Sequence, residues 1–502
     1  MQGGLAWLDY VLIALYFASI VYLGFRQRRQ SSAVEFYLAG RSLSGITAGI
    51  SVTVTLLSAI SLMGGVAFTY QHNLMLLMGA LAIPLTIPVI NRVILPFYHN
   101  LPIMTGYEYL ERRFDPLVRC VASGLFILLR LFYLALVIYA PAVALAVVTG
   151  WPIWQNVILM GGVSVSLAGL GGMRGVIWAE MIKFFALIVS LGSVLVVLFV
   201  GIDGGLDAAW KIARDGGRLR AFDFSFDPTV TFAFWWVLLG NFFQNLSTFG
   251  ADQIAVQRYL TSRSLEESRK AYRFHVWTAI PINVLYSVIG VGIYVYYEQR
   301  AGGSPGLSSA DYVLPYFAVH ELPMGVAGLM IATIFALSLT THSSGLHSIN
   351  TAVMNDFVER FFPGRNDGDR QVRLARAGSI FWGIATTLLA LYVPRLGIIT
   401  IASRKVNQFF GGVLIGLFLL GMLSGRAGGR AALGAGLIGM AIVALVAQLT
   451  SASFLLYGPL GFLATMAAGF ALSGLFAGPQ AEQVRGFHIE RRGGPPRPAA
   501  EE

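Results

Sequence analysis

The chain has 502 residues, of which 56% are hydrophobic and only 12% are charged, and its mean hydropathy is +0.69. Soluble proteins carry about 25% charged residues, so this composition excludes an ordinary soluble globular protein and favours an integral membrane protein. The formal net charge of +10 does not indicate nucleic-acid binding, because the basic residues lie in short segments between long apolar runs. The single cysteine, Cys120, excludes an intrachain disulfide framework.

The first apolar segment, Leu8 to Phe25, is predicted to be a retained helix rather than a signal peptide, because basic residues follow it instead of preceding it. Similar runs continue along the chain, and many reach the roughly 20 residues that a helix needs to cross the hydrocarbon layer. The predicted fold is all-α integral membrane with about thirteen transmembrane helices, at 8–25, 46–70, 74–90, 120–149, 153–170, 176–201, 231–255, 274–297, 324–353, 377–394, 398–423, 431–449 and 454–476.

The distribution of basic residues predicts the orientation of these helices. With the N-terminus outside, most of the 35 lysines and arginines lie in cytoplasmic segments, as the positive-inside rule requires. The C-terminus is then inside, and the protein is a multi-pass protein of the cell (inner) membrane. Residues 1–476 form a single transmembrane domain, followed by a Pro- and Gly-rich cytoplasmic tail, 477–502, that is predicted to be disordered.

Two predicted spans are rich in small polar residues and are expected to be broken helices. They are the second span, GITAGISVTVTLLSAISLMGG, and the seventh, LLGNFFQNLSTFGADQIAV. Breaks free backbone carbonyls for ions and substrates near the middle of the bilayer, although small polar residues also allow close helix packing. Because the two spans are five crossings apart, they favour inverted five-helix repeats with broken first helices, at about 46–201 and 231–423.

Four basic residues fall inside predicted spans, Arg130, Lys183, Arg404 and Lys405, and Glu180 is the one acid that is clearly in the middle of a span. Charge within a membrane is costly and usually faces a cavity or a partner, so these residues are the first functional candidates. Their excess of positive charge favours an organic anion as substrate.

Several motifs resemble those of the sodium/solute symporter family, over nearly the whole chain from about residue 8 to 476. They are EFYLAGRSLSG at 35–45, TGYEYLERRFD at 105–115, GGMRGVIWAEMIK at 171–183, ADQIAVQRYL at 251–260, FALSLTTHSSGLHSIN at 335–350 and GGVLIGLFLLG at 411–421. Within the family, the sequence is most similar to the bacterial sialic acid symporters and the sodium-coupled monocarboxylate and multivitamin carriers. The resemblance implies a LeuT-like core and alternating access around a central site.

The resemblance also implies a sodium site. It maps the cation ligands onto the backbone carbonyls of Val54, Leu57 and Leu337 and the hydroxyls of Thr340 and Thr341. Sodium is the only metal expected, and no organic cofactor is. The alternative is that the two hydroxyls only bond the carbonyls four residues back in their own helix.

Some relatives bind a second sodium with an aspartate in helix six, the first hydroxyl of helix nine and two later serines. The serines correspond to Ser343 and Ser344, but the aspartate is replaced by Glu180, and Lys183 follows three residues later. Side chains at this spacing meet on one helix face. The lysine is therefore predicted to replace the second ion, leaving one sodium; the alternative is a structural ion pair.

The substrate site is expected to differ from that of the sialic acid symporters. Their carboxylate-binding arginine in helix four corresponds to Tyr133, and Arg130 lies one turn earlier. Arg130 either holds a substrate carboxylate or has an internal partner. Leu56 and Ala80 replace polar contacts of those relatives, so sialic acid itself is not favoured. The predicted substrate-binding residues are Ser58, Ser61, Arg130, Tyr133, Phe249, Arg404 and Asn407.

Adjacent residues on a helix point about 100° apart, so at most one of Arg404 and Lys405 faces the cavity. His342 and His347 are five residues apart, whereas a helical metal pair needs four, so metal binding by them is not expected.

The sequence predicts sodium-coupled symport of a small organic anion, such as a monocarboxylate or an acidic sugar, into the cytoplasm. The alternatives are a proton-coupled carrier using Glu180, a symporter of a neutral sugar or other solute, and a sensor with a transporter fold. An enzyme is not expected, because HExxH, GxSxG and Walker motifs are absent from the sequence. Oligomeric state is not predicted.

Overall fold

The computed structural model describes residues 4–26, 42–99, 101, 106–167, 173–301, 305–358, 368–484 and 487–488. Within these ranges the regular structure is helical, and the single β feature is an isolated bridge between Leu43 and Ser262. Most of the motif at 35–45 and the end of the predicted tail, 489–502, lie outside the described residues.

The first half of the chain forms helices α1 to α9. They are α1 (Trp7–Arg26), α2 (Gly45–Leu56), α3 (Ala59–Gln71), α4 (Met75–His99), α5 (Gly106–Arg113), α6 (Pro116–Thr149), α7 (Ile153–Leu167), α8 (Met173–Gly201) and α9 (Gly205–Asp215). Helix α4 starts as a 3₁₀ helix and contains a π turn at Ile90–Ile94, and its prolines at 84 and 88 lack the N–H groups that a regular α-helix uses.

The second half forms helices α10 to α19. They are α10 (Phe234–Gly250), α11 (Gln253–Leu260), α12 (Leu265–Ala301), α13 (Val313–Glu321), α14 (Val326–Val353), α15 (Gly368–Ala390), α16 (Ile399–Leu423), α17 (Gly429–Leu449), α18 (Tyr457–Leu472) and α19 (Ala481–Val484). The last of these falls in the predicted tail, where the Gln483 amide donates to the Phe114 carbonyl at 2.6 Å.

Eight of the described helices are long and apolar enough to cross a membrane, and α2 with α3 would form a ninth span that is bent by 61°. Shorter apolar helices lie at Trp7–Ser19, Ile153–Ser166 and Ala377–Ala390. The predicted multi-pass, helical membrane protein is therefore confirmed. The count of thirteen crossings, the inverted repeats and the orientation of the termini stay predictions.

The helices that carry most candidate residues lie at the centre of the molecule. The apolar parts of α6, α14 and α16 are 67%, 72% and 78% buried, whereas those of α17 and α18 are only 28% and 33% buried. Helices α17 and α18 therefore expose most of their apolar surface, as expected of helices at the periphery that face lipid.

Buried side chains fix the ends of two central helices. The Asp9 carboxylate in α1 accepts the N–H groups of Gly325 and Gly328 at 2.7 and 2.8 Å, and so caps the N-terminus of α14. The fully buried Arg113 donates to the carbonyl of Gly421 in the last turn of α16 at 3.0 Å, and to the carbonyls of Ser424 and Ala427 just beyond that helix. A negative side chain thus lies at the N-terminus of α14, and a positive side chain lies at the C-terminus of α16, as the helix dipoles favour.

Candidate functional site

The break between α2 and α3 releases the two carbonyls that the sequence analysis assigned to sodium. In a continuous helix the N–H of Ser58 would bond Val54, but it donates to the Leu56 carbonyl at 3.2 Å. Likewise the N–H of Ser61 donates to the Ser58 carbonyl at 3.0 Å, rather than to that of Leu57. A released carbonyl is a hard oxygen ligand without its helical donor, which suits sodium.

The two threonine hydroxyls of the predicted sodium site lie in α14. Thr340 donates to the Ala336 carbonyl at 2.6 Å, and Thr341 donates to the Leu337 carbonyl at 2.7 Å. Both bonds follow the alternative that the sequence analysis left open. They occupy the hydroxyl protons and leave oxygen lone pairs, so they are compatible with cation binding.

Glu180 and Lys183, which lie one turn apart in α8, connect the α2/α3 break to α14. The buried Glu180 carboxylate accepts hydrogen bonds from the hydroxyls of Ser51 and Thr55 in α2, the latter at 2.6 Å. Three residues later, the buried Lys183 ammonium donates to the Thr340 hydroxyl at 2.8 Å. A fixed positive charge therefore lies beside the Thr340 hydroxyl of α14, which corresponds to the hydroxyl that the second sodium of relatives is expected to use.

The two serines of the second-cation region follow Thr341 on α14. The Ser344 hydroxyl donates to the Thr341 carbonyl at 3.1 Å. Ser343 is half-buried.

The second helix break lies between α10 and α11, at Ala251 and Asp252. Asp252 forms a partly buried ion pair with Arg130 of α6, and its other oxygen accepts the N–H of Ile254 at 3.0 Å. The sequence analysis left open whether Arg130 has an internal partner, and it did not name Asp252 as that partner. The sequence signal was weak: an acid two residues after a helix that ends at a glycine, 122 residues from its partner.

The two breaks are joined through α6. The Tyr133 hydroxyl donates to the Ser58 hydroxyl at 3.2 Å, and the Arg130 guanidinium lies 5.5 Å from the centre of the Tyr133 ring. Ser58 is 1% exposed. A chain of contacts thus runs from Ser58 at the first break to Asp252 at the second.

The adjacent pair Arg404 and Lys405 in α16 points in two directions, as expected from the helix geometry. Arg404 donates to the side-chain oxygen of Asn241 in α10 at 2.7 Å, whereas the Lys405 ammonium lies 5.8 Å from the Phe454 ring. Among the described residues Arg404 has no ion-pair partner, so its charge meets only a neutral amide. The amide of Asn407 donates to the Ser403 carbonyl at 2.9 Å.

A cavity of about 650 Å³ lies at the end of α16 where Arg404 is found. It is lined by the ends of α3 and α12 and by Ile398 and Ile401, and Ile401 is three residues from Arg404. Side chains with polar groups, Arg218, Tyr297 and Glu298, also line it. The cavity is of the size that small-molecule sites have, but Arg404 is not among the residues that line it.

Two other candidate residues are packed into the helix bundle. Phe249 is buried, with its ring centre 4.8 Å from that of Tyr272 and 4.9 Å from that of His275 in α12. The ring nitrogens of His342 lie 2.6 Å from the Ser164 hydroxyl and 3.0 Å from that of Thr386. These contacts place both side chains in the packed bundle, and substrate binding by Phe249 stays a prediction.

Comparisons with known proteins identify the family of the chain. The profile of the Sodium:solute symporter family matches residues 36–439. The chain is 29% identical to the sodium/sialic acid symporter NanT of Aliivibrio fischeri over 93% of each chain. It is 30% identical to sodium-coupled monocarboxylate transporter 2 of Danio rerio, over 86% of this chain and 70% of that one.

Among solved structures, the chain resembles a substrate-bound, outward-open Na⁺-coupled sialic acid symporter. The TM-score is 0.83 at 26% identity, over 94% of this chain and 99% of that one. The resemblance inferred from the sequence motifs is therefore confirmed, and the enzyme alternative is excluded.

Proposed function

Since the chain belongs to the sodium:solute symporter family, we propose that it is a secondary active transporter that couples sodium entry to uptake of a small organic anion across the cell inner membrane. The positive-inside pattern supports thirteen crossings, an outer N-terminus and a cytoplasmic C-terminus. The breaks at α2/α3 and α10/α11 support two inverted repeats, each beginning with a broken helix.

The observation that carries the proposal is that the α2/α3 break releases two backbone carbonyls beside the turn of α8 that carries Glu180 and Lys183. Val54 and Leu57 lose their helical donors at the break, and Thr340 is linked to α2 through Glu180 and Lys183 of α8. We place one sodium on these carbonyls, the Leu337 carbonyl and the hydroxyls of Thr340 and Thr341. The Lys183 ammonium takes the place of a second ion in the region of Glu180, Ser343 and Ser344.

The positive charge of Arg404 supports an anionic solute. A half-buried cation beside a neutral amide is electrostatically incomplete, and a carboxylate would complete it with two parallel hydrogen bonds. A cavity lined by Ile401, three residues before this arginine, lies nearby. The names of the relatives, which include sialic acid and monocarboxylate carriers, fit the same chemistry.

The experiment is uptake into liposomes containing the purified protein, with pyruvate, lactate and sialic acid as labelled probes. At fixed pH, replacing external sodium by choline is expected to abolish uptake. Uptake that survives in choline and follows the pH gradient would instead identify a proton-coupled carrier. Uptake of a neutral sugar alone, with no anion transported, would overturn the anionic assignment.

The anion site is tested by Arg404→Gln, with Lys405→Gln as the matched control on the next residue. A charge-assisted hydrogen bond contributes about 1.5–3 kcal/mol, so Arg404→Gln is expected to weaken carboxylate binding roughly 10- to 100-fold. Lys405 lies against Phe454, so its variant should remain within about twofold of the wild type. Equal losses in the two variants would remove Arg404 from the site.

A further inference from the structure

Four polar contacts among the described residues join the break between α10 and α11 to the first half of the chain. One is the partly buried ion pair of Arg130 and Asp252. The other three join neutral groups: the Tyr98 hydroxyl to the Gly250 carbonyl at 2.7 Å, the Tyr107 hydroxyl to the Ala251 carbonyl at 3.2 Å, and the Gly106 N–H to the Gln253 side chain at 2.8 Å. Of these four contacts the ion pair alone involves charge, so we expect it to be the most costly of them to separate.

The Arg130 guanidinium has bonding capacity that Asp252 does not use. Its side chain is 8% exposed, and its Nε–H is buried without a hydrogen-bond partner. Nε and one terminal nitrogen form the planar fork that binds a carboxylate with two bonds. An arriving carboxylate therefore finds an unused donor on an arginine that already holds another carboxylate.

Asp252 can exchange this partner without loss of its local structure. One of its oxygens contacts Arg130, while the other caps the first turn of α11 through the N–H of Ile254. The cap persists when the first contact opens. Asp252 is also the more exposed member of the pair, at 15%, so it is closer to water.

Two arginines, Arg404 and Arg130, therefore contact successive positions on α10 and on the break that follows it. Asn241, the partner of Arg404, and Asp252, the partner of Arg130, are 11 residues apart in the sequence, which corresponds to about 16 Å along a helix. Arg404 lies three residues after Ile401, which lines the cavity, and Arg130 lies toward the end of α10 that is assigned to the cytoplasm. A carboxylate bound at the first arginine has the second as its next electrostatic partner.

We propose that the solute carboxylate replaces Asp252 on Arg130, and that this exchange releases the α10/α11 break and opens the path to the cytoplasm. The inference rests on the proposed function and deepens it: the transported solute must carry a carboxylate. Opening without a replacement strands two charges, a penalty corresponding to roughly 10²–10³-fold in population or more. A solute carboxylate compensates Arg130, while Asp252 turns to water, and the number of ion pairs on Arg130 is unchanged.

Neutral analogues cannot make this exchange. An amide or methyl ester of the same shape offers a single neutral acceptor, so it leaves the arginine uncompensated. Such analogues are therefore expected to bind weakly and to leave the break closed. A sulfonate has the charge but a different geometry, so it tests whether the planar fork matters.

The test uses the full-length protein, binding of pyruvate, lactate and sialic acid in sodium, and sodium entry into liposomes without solute. In Asp252→Asn the internal competitor is gone, so carboxylate binding should tighten about tenfold and a solute-independent sodium leak should appear. A merely structural aspartate would give weaker binding and no leak. The matched control Tyr98→Phe removes a neutral contact from the same break and should leave carboxylate affinity within about twofold.

The outcomes separate the two proposals. Absence of sodium-dependent carboxylate binding in the wild type overturns the proposed function, and this inference with it. Normal wild-type binding together with unchanged or weaker binding by Asp252→Asn overturns the exchange alone. If Asp252→Asn does not fold, the neutral pair Arg130→Gln with Asp252→Asn replaces it. Because Arg404 is still present, the double variant should keep only part of the wild-type preference for carboxylates over their amides, and a preference equal to that of the wild type would refute the exchange.

Discussion

Replacement of Lys183 by glutamine tests whether a side chain occupies the position of a second coupling ion. The ammonium is 3% exposed, donates to the Thr340 hydroxyl at 2.8 Å and lies one turn from the buried Glu180 on α8. Glutamine keeps the length and a hydrogen-bond donor but removes the charge. The variant therefore changes the electrostatics of the site more than its shape.

The size of the effect follows from burial. Removing one member of a buried charge pair costs about 3–5 kcal/mol, because the remaining charge has lost its compensation. In Lys183→Gln a second sodium can supply the missing charge, using the Glu180 carboxylate and the hydroxyls of Ser343 and Ser344. An ion present at 100 times its Kd returns about 2.7 kcal/mol, so sodium should stabilise the variant by about that much more than it stabilises the wild type.

The assay is thermal unfolding in choline and in sodium, together with the sodium dependence of uptake. We expect a Hill slope near one for the wild type and clearly above one for Lys183→Gln. Lys405→Gln is the control, because it makes the same substitution on a lysine that lies against Phe454. A wild-type Hill slope clearly above one would refute the idea that the Lys183 ammonium takes the place of a second sodium. A Lys183→Gln variant whose sodium response matches that of the control would refute it as well.

Three further predictions concern residues around the site. Tyr133→Phe breaks the bond to Ser58 and should weaken the sodium dependence of solute binding several-fold at unchanged folding, measured by binding with and without sodium. Burial raises the pKa of Asp311, which lies between α12 and α13, to about 7. Folding therefore favours its protonated form, which adds stability below pH 4 that is lost as the pH rises through 7; Asp311→Asn should remove on the order of 4 kcal/mol of this pH dependence in thermal unfolding. Asp9→Ala removes the cap of α14 and should cost about 1–2 kcal/mol in the same assay, and an unchanged melting temperature would contradict this.

Local chemistry made the membrane helices and the breaks predictable. Apolar length marks a span, and the Ser, Thr and Gly residues around Ser58 mark where a helix can part from its regular hydrogen bonding. The geometry of a helix also predicted that Arg404 and Lys405 diverge. Which of them faces α10 depends on how the helices are rotated in the bundle, and a single sequence does not encode that rotation in any local pattern.

The pairing of Arg130 with Asp252 shows the same limit more sharply. Each residue was visible as a charge in or near a predicted span, but 122 residues and several helices separate them. Their meeting depends on the break that ends α10 at Gly250, and on tyrosines from α4 and α5 that bind the carbonyls there. A charge–charge contact of this kind is a property of the packed bundle rather than of either segment.

The contact chain through α6 gives a physical basis for coupling sodium to solute. Ser58 follows Leu57, whose carbonyl is assigned to sodium, and Tyr133 joins Ser58 to the helix face that carries Arg130. Sodium bound at the proposed site would therefore stabilise both the α2/α3 break and the α6 face on which we propose the carboxylate exchange. Binding linkage is reciprocal, so the factor by which sodium tightens carboxylate binding must equal the factor by which the carboxylate tightens sodium binding. A change at Tyr133 must lower both factors together, which distinguishes coupling through α6 from independent damage to either site.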